Sequence, residues 1–262
     1  MPNEKRSART TKKQGSDRLT VREKNENQSR LSVILGVSQS EKTVRKLLKQ
    51  VEKLCPKEII VVVNGSRDES IDIVLSYTTY TLKVYVYPFA LGEDVWRSIG
   101  AREASGDVLL FLDADTVIHA EELQPFAIAC YKGVDIALQR AKPSSIPGVL
   151  DRSTVMLART YLNNLLEHNE LGTSSMCDVP FAITRTAASR IGIQHLLIPP
   201  LAHAMAIDIG LRIERSHCIK EALQAHRGRL FKGKKAWRDL TSLGDHIEAI
   251  QYVAKRCVSE IP

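Results

Sequence analysis

A mixed, mostly parallel α/β sheet flanked by helices is the fold this 262-residue sequence predicts, as a single domain behind a disordered N-terminal tail. Three observations carry that expectation. From residue 31 onward, short β-rich apolar runs alternate with segments of helical period. Several runs are apolar at consecutive positions, the pattern of strands covered on both faces. The first four runs are each followed by polar or glycine residues, which right-handed crossovers would gather along one edge of the sheet.

The elements follow in order. Residues 31–37 (LSVILGV) form the first predicted strand. In 42–54, Val44, Leu47, Leu48, Val51 and Leu54 recur at helical spacing, and Pro56 is a stop. Residues 58–63 (EIIVVV) are a second strand, Asn64-Gly65-Ser66 a turn, and 68–77 a helix. Residues 82–87 (LKVYVY) are a third strand, 94–104 a helix after Gly92, and 107–112 (DVLLFL) a fourth strand. A helix over 121–131 and a strand over 134–138 complete the regular part. The second half is less even. A loop at 143–148, a helix over 153–167, a polar loop at 170–177 and a helix over 181–191 stopped by Gly192 are expected. Pro199-Pro200 reads as a break, 207–214 is ambiguous, 228–233 is a basic glycine-containing loop, and 245–256 is a closing helix. That helix would have Ile247, Ile250 and Val253 on one side, with Asp245 as its N-cap.

Composition narrows the class. Hydrophobic residues make up 44% and charged residues 26%, ordinary for a globular protein. No apolar run reaches the length of a membrane span, and no secretory signal is evident, so a cytoplasmic protein is expected. The five scattered cysteines contain no C-x-x-C pair, which argues for reduced, packed thiols and against a disulfide framework or zinc site. Residues 1–30 hold nine Lys/Arg and four acids, a net of +5 within the overall +7, leaving +2 for the rest. The basicity therefore belongs to a polar tail that cannot bury enough surface to fold alone. A solvated tail is favoured over one that binds nucleic acid or an anionic surface.

The chemistry gathers at Asp113-Ala114-Asp115, where the fourth strand ends. Residues i and i+2 of an extended chain point to the same side, so both carboxylates can face one point. Paired carboxylates repel unless a cation lies between them, and a hard divalent ion such as Mg²⁺ or Mn²⁺ suits oxygen ligands. Two solvated aspartates in a turn are the simpler reading of such a pair taken alone.

Three segments in order, SVILGVSQSE (32–41), VVVNGSRDES (61–70) and WRSIGAREASGDVLLFLDAD (96–115), resemble the nucleotide-sugar-dependent glycosyltransferases of the GT-A fold, in particular the family-2 group. The resemblance covers about residues 31–140. It implies transfer of a sugar from a metal-bound nucleoside diphosphate sugar, UDP- or GDP-linked, to an unknown acceptor, with Asp113 and Asp115 holding the metal. It also implies a donor site drawing on Asn64, Ser66 and Asp68 near the base or ribose, and on Arg97 and Arg102 near the pyrophosphate. A turn-satisfying role for Asn64 and Asp68, and a solvated helix face for the arginines, remain the structural alternatives. Residues 31–140 would then be the nucleotide-sugar half, and 141–262 the acceptor half and lid. A homodimer is compatible with this reading.

Departures from the family pattern are plain. Gly36 stands where a proline is usual, Ser40 replaces the first glutamate, and Val63 replaces an aspartate that contacts uracil. No Glu-Asp pair occurs in 116–262 to supply an inverting base. The segments MAIDIGLRIE (205–214) and AHRGRLF (225–231) resemble the retaining glucosyl-3-phosphoglycerate synthases, which implies Asp208 as an acidic site residue and His226 as a third metal ligand. His246 and His203 are rival ligands, and Asp178 and Asp208 the candidate bases. Arg227, Arg229, Lys232, Lys234 and Lys235 could cover a diphosphate. The alternatives are a nucleotidyltransferase, which would need a Gly-rich basic loop after the first strand, a non-catalytic sugar-nucleotide binder, and a nucleic-acid binder acting through the tail. For the tail, deletion of residues 1–30 is expected to leave affinity for duplex DNA unchanged and weak. Steeply salt-dependent binding that the deletion removes would contradict the solvated reading.

Overall fold

A computed structural model describes residues 30–79, 81–140, 154–219, 222–225 and 232–259. The tail through residue 29, the 143–148 loop, His226 and most of the basic 228–233 stretch lie outside the described residues.

The first half follows the expected alternation. In order it comprises β1 (Leu31–Val37), α1 (Val44–Glu52), β2 (Glu58–Asn64), α2 (Ser70–Leu75), β3 (Leu82–Tyr87), α3 (Val95–Glu103), β4 (Val108–Asp113), the short β5 (Thr116–Ile118) and α4 (Ala120–Tyr131). The second half holds β6 (Ile136–Gln139), α5 (Thr154–Leu165), β7 (Phe181–Thr184), α6 (Arg185–Ile191), α7 (Pro199–Asp208), β8 (Ile213–His217), β9 (Ala222–Ala225) and α8 (Lys232–Ser259). Seven strands form one sheet in the order β3-β2-β1-β4-β7-β6-β8, while β5 and β9 pair separately. Strands β1 to β4 run parallel, and β7 inserts antiparallel between β4 and β6.

Side-chain alternation along the strands builds two cores. Val33, Leu35, Val61, Val63, Leu110 and Leu112 pack on one face with α1 and α4. Ile34, Ile60, Val62, Leu109 and Phe111 pack on the other with Trp96 of α3 and the alanines of α6 and α7. Both faces are covered, which is why these strands read as continuous apolar runs. A third cluster joins α5, α7 and α8 through Leu162, Leu201, Ala204, Ala249 and Val253. Among the described residues, no helix is long and apolar enough to cross a membrane.

Register fixes the edge where polar residues collect. Gly36 lies opposite Asp113, Val37 opposite Val63, and Asn64 opposite Tyr87. Gly36 also explains its departure from the family pattern. A Cβ there would come within 2.6 Å of the Trp96 ring, so the tryptophan occupies the room a side chain would need.

Three expectations need correction, and one open segment is resolved. Residues 181–191 are a strand followed by a helix, with the Thr184 side chain accepting from the Ala187 N–H at the start of α6. The run Phe181-Ala182-Ile183 is wholly buried, and the Phe181 ring stacks on Phe111 at 4.6 Å. Such a short apolar run has no period that separates strand from helix. Pro199-Pro200 opens α7 instead of breaking the chain, because the first helical turn needs no N–H partner. The ambiguous 207–214 is the end of α7, a turn through Gly210 at φ +68°, and the start of β8. The closing helix begins thirteen residues before Asp245, at Lys232, so Asp245 is interior rather than an N-cap. Its buried side is carried by Ala249 and Val253, while Ile247 is exposed.

At the opposite edge, one buried carboxylate ties the strands together. Glu58 accepts from Ser32 Oγ at 2.7 Å, Lys83 Nζ at 2.6 Å and Ser105 Oγ at 2.8 Å, and from the Ser105 N–H. Burial alone would raise its pKa, but these hydrogen bonds outweigh it and hold the group down to about 2 against an ordinary 4.5. The sign follows from linkage: a depressed carboxylate contributes stability above the unfolded value and loses it as pH falls through the folded one. The charge therefore contributes on the order of 3 kcal/mol above pH 4.5, lost toward pH 2. Glu58→Gln is expected to lower the melting temperature at pH 7 and to flatten its decline across that window. An acid-unfolding profile that overlays the wild type contradicts this role.

Candidate active site

The sheet delivers Asp113 as the last residue of β4, and the chain turns at once into β5. The Ala114 N–H donates to the Gly36 carbonyl at 2.9 Å, which locks the turn to the end of β1. Asp113 Oδ1 accepts from the Asp115 N–H at 3.1 Å, and Asp115 Oδ1 accepts from Thr116 Oγ1 at 2.7 Å. Both carboxylates are partly buried and open on a cavity of about 360 Å³, which Thr116, Gln139, Cys177 and Asp178 also line. Two hard carboxylate oxygens on one wall suit a hard divalent cation, with room for phosphate or water oxygens beside it. Among the described residues, no group of three His, Cys, Asp or Glu side chains could hold a metal. Among the described residues, the donor set here is the two carboxylates.

The structure places Asp178 in the same cavity. It precedes β7, which lies beside β4. Both its oxygens accept from Arg159 Nη1, at 2.9 and 2.8 Å. Arg159 is buried on α5. Burial disfavours its charge, yet Asp178 more than compensates and raises its pKa. Arg97 of α3 is the second buried arginine. Its Nη1 and Nη2 donate to the carbonyls of Met176 and Cys177, and Nε sits 2.9 Å from Asp94. Its guanidinium also lies over the Trp96 and Phe181 rings, at 5.3 and 5.6 Å. Two arginines from two helices thus hold the wall 176–178 residue by residue.

Arg97 itself does not line the cavity, and neither do the remaining expected site residues among those described. Asn64 clamps the next strand's loop: Nδ2 donates to the Gly92 carbonyl at 2.6 Å, and Oδ1 accepts from Leu91 N–H at 2.9 Å. Ser66 Oγ accepts from Gln39 N–H at 3.2 Å. Asp68 accepts from the N–H groups of Glu41 and Ser70, at 3.0 and 3.2 Å. These contacts tie the ends of β1 and β2 into one rim. Arg102 is exposed, 3.6 Å from Glu103, on the solvated helix face. Asp208 accepts from the Tyr252 hydroxyl at 2.8 Å and pairs with Arg256, so it fastens α7 to α8.

The rival histidines are packed. His203 donates from Nε2 to Asn163 Oδ1 at 2.9 Å, and burial, with the nearby positive charges, pushes its pKa down to about 3. His246 donates from Nδ1 to the Ser242 carbonyl at 2.6 Å, and burial lowers its pKa as well. Both are neutral structural residues. Arg159 escaped sequence reasoning. Its signal was a charged residue sharing a helix face with Leu162 and Asn163, at i+3 and i+4, which requires a buried partner.

Solved structures share this architecture. One is glucosyl-3-phosphoglycerate synthase from Mycobacterium tuberculosis in complex with Mn²⁺, UDP and phosphoglyceric acid. It matches at a TM-score of 0.64 and 19% identity over 93% of this chain and 84% of that one. The same enzyme with Mn²⁺ and UDP-glucose gives 0.61 and 19% over 88% and 84%, and with Mg²⁺ and UDP 0.64 and 17% over 88% and 84%. No curated protein matches the chain. The likeness shows a shared GT-A fold, a mixed, mostly parallel sheet flanked by helices. A family model described as glycosyl transferase family 2 matches residues 32–190, more than half of the sequence, and the chain belongs to that family.

Proposed function

We propose that this protein transfers a hexosyl unit from a metal-bound UDP-sugar to an acceptor hydroxyl. The observation that carries the reading is the meeting of Asp113, Asp115 and Asp178 on one cavity at the carboxyl end of β4. Asp113 and Asp115 would hold Mg²⁺ or Mn²⁺, which, when bound, neutralises the diphosphate as it departs. The structures of similar fold that hold these ions with UDP support that choice of ion, and favour uridine over guanosine.

In the reaction, the bond between sugar C1 and the diphosphate oxygen would break, the acceptor oxygen would bond to C1, and the hydroxyl proton would pass to the Asp178 carboxylate. Asp178 is the carboxylate at hand on the acceptor side, and Asp208, engaged by Tyr252 and Arg256, is not. Thr116 orients Asp115 through its hydroxyl, and the Asp115 N–H orients Asp113, so the pair is pre-set before any ligand arrives. The rim tied by Asn64, Ser66 and Asp68 would border the nucleoside. Residues 31–140 would thus carry the donor end, and 141–262 the acceptor end.

Calorimetric titration of UDP in the presence of Mn²⁺ tests the metal end. Asp113→Ala and Asp115→Ala are each expected to weaken UDP binding by at least about ten-fold and to abolish its dependence on Mn²⁺. Unaltered, still Mn²⁺-dependent affinity in either variant contradicts the assignment.

A further inference from the structure

We infer that Arg159 is a positioning residue that holds Asp178 against the cavity wall, away from the cation, and so keeps a third carboxylate available to the acceptor. The inference rests on the donor and metal reading above. Three carboxylates open on one cavity of about 360 Å³. Like charges so gathered repel, and each would gain by approaching a divalent ion. Asp178 instead turns both of its oxygens to a cation of the protein itself. What holds it is one buried side chain. Arg159 is 9% exposed, its Nη1 reaches both oxygens of Asp178, and Asp178 remains 37% exposed toward the cavity.

The surroundings of Arg159 argue against a role in packing alone. An apolar side chain of similar size would cost less to bury than a guanidinium. Behind it, His203 and His246 are fully buried, and their hydrogen bonds fix each ring with one bare nitrogen, Nδ1 and Nε2 respectively. Arg159 Nε is likewise buried and without a hydrogen-bond partner. Both imidazoles are neutral, so neither competes with Arg159 for Asp178. On the adjoining residues, Arg97 grips the Met176 and Cys177 carbonyls, which leaves the Asp178 side chain to Arg159.

The test uses the full chain with Mn²⁺ alone, with Mn²⁺ and UDP, and with UDP-glucose, whose C1–diphosphate bond water can cleave to give glucose and UDP. Asp178→Asn is expected to lower UDP-glucose turnover by at least about ten-fold, with KM and Mn²⁺·UDP affinity within about two-fold of wild type. Arg159→Met is expected to lose turnover similarly, and to bind free Mn²⁺ more tightly, because Asp178 is released to the ion. Adding Asp178→Asn to Arg159→Met is expected to return Mn²⁺ affinity to the wild-type value. A role in packing alone predicts no gain in Mn²⁺ affinity. Wild-type Mn²⁺ affinity in Arg159→Met, or undiminished turnover in Asp178→Asn, overturns the inference. Should Arg159→Met fail to fold, Arg159→Gln is measured in its place, with the same gain in Mn²⁺ affinity expected and wild-type Mn²⁺ affinity overturning the inference. A wild-type chain that binds neither Mn²⁺·UDP nor cleaves UDP-glucose instead overturns the underlying functional reading, and the inference with it.

Discussion

The parallel pairing of β1 with β4 is the constraint on which the site depends. Its register sets Gly36 beside Asp113, and one further hydrogen bond, from Ala114 N–H to the Gly36 carbonyl, carries the ladder past the strand's end. That bond turns the chain so that Asp113 and Asp115 open on the same cavity. The absence of a side chain at Gly36 lets Trp96 seat against the strand, which anchors α3, and α3 supplies Arg97. A slip of one residue would reverse the faces of β4 and bury the first carboxylate in the core.

The opposite wall is built by a different means. β7 lies antiparallel to β4, so the segment leading into it arrives at the carboxyl end of β4, where the aspartates are. That segment lacks regular structure, and buried arginines replace the ladder. Arg97 holds two carbonyls and Arg159 one carboxylate. Guanidinium groups suit the task because their donors are fixed in one plane and keep their charge when buried. The cavity thus has one wall set by strand register and one set by ionic and hydrogen-bonded clamps.

Much of the first half was legible in the sequence. Strands buried on both faces leave continuous apolar runs, and Leu31–Val37 and Leu82–Tyr87 were bounded correctly. The paired carboxylates were visible in the sequence, but Ala114 and Asp115 lie in the turn after β4, so that turn, and not extended i, i+2 geometry, brings both to the cavity. The second half was harder for stated reasons. Phe181–Thr184 is too short to reveal its period, and Pro199-Pro200 is equally at home at a break or in a first helical turn. Asn64, Ser66 and Asp68 were located at the right edge, but their hydrogen bonds to other loops depend on tertiary approach. Arg159 and Asp178 lie nineteen residues apart, and nothing local announces their pairing.

The central claim is that the end of β4 is a metal-assisted sugar-nucleotide site. Crystals grown with Mn²⁺ and UDP, measured near the manganese absorption edge, test it most directly. The account predicts an anomalous peak within coordination distance, about 2.2 Å, of both Asp113 and Asp115, touching the diphosphate, with Asp178 still on Arg159. Manganese and UDP bound elsewhere, or a diphosphate held at this edge without the two aspartates, would contradict it.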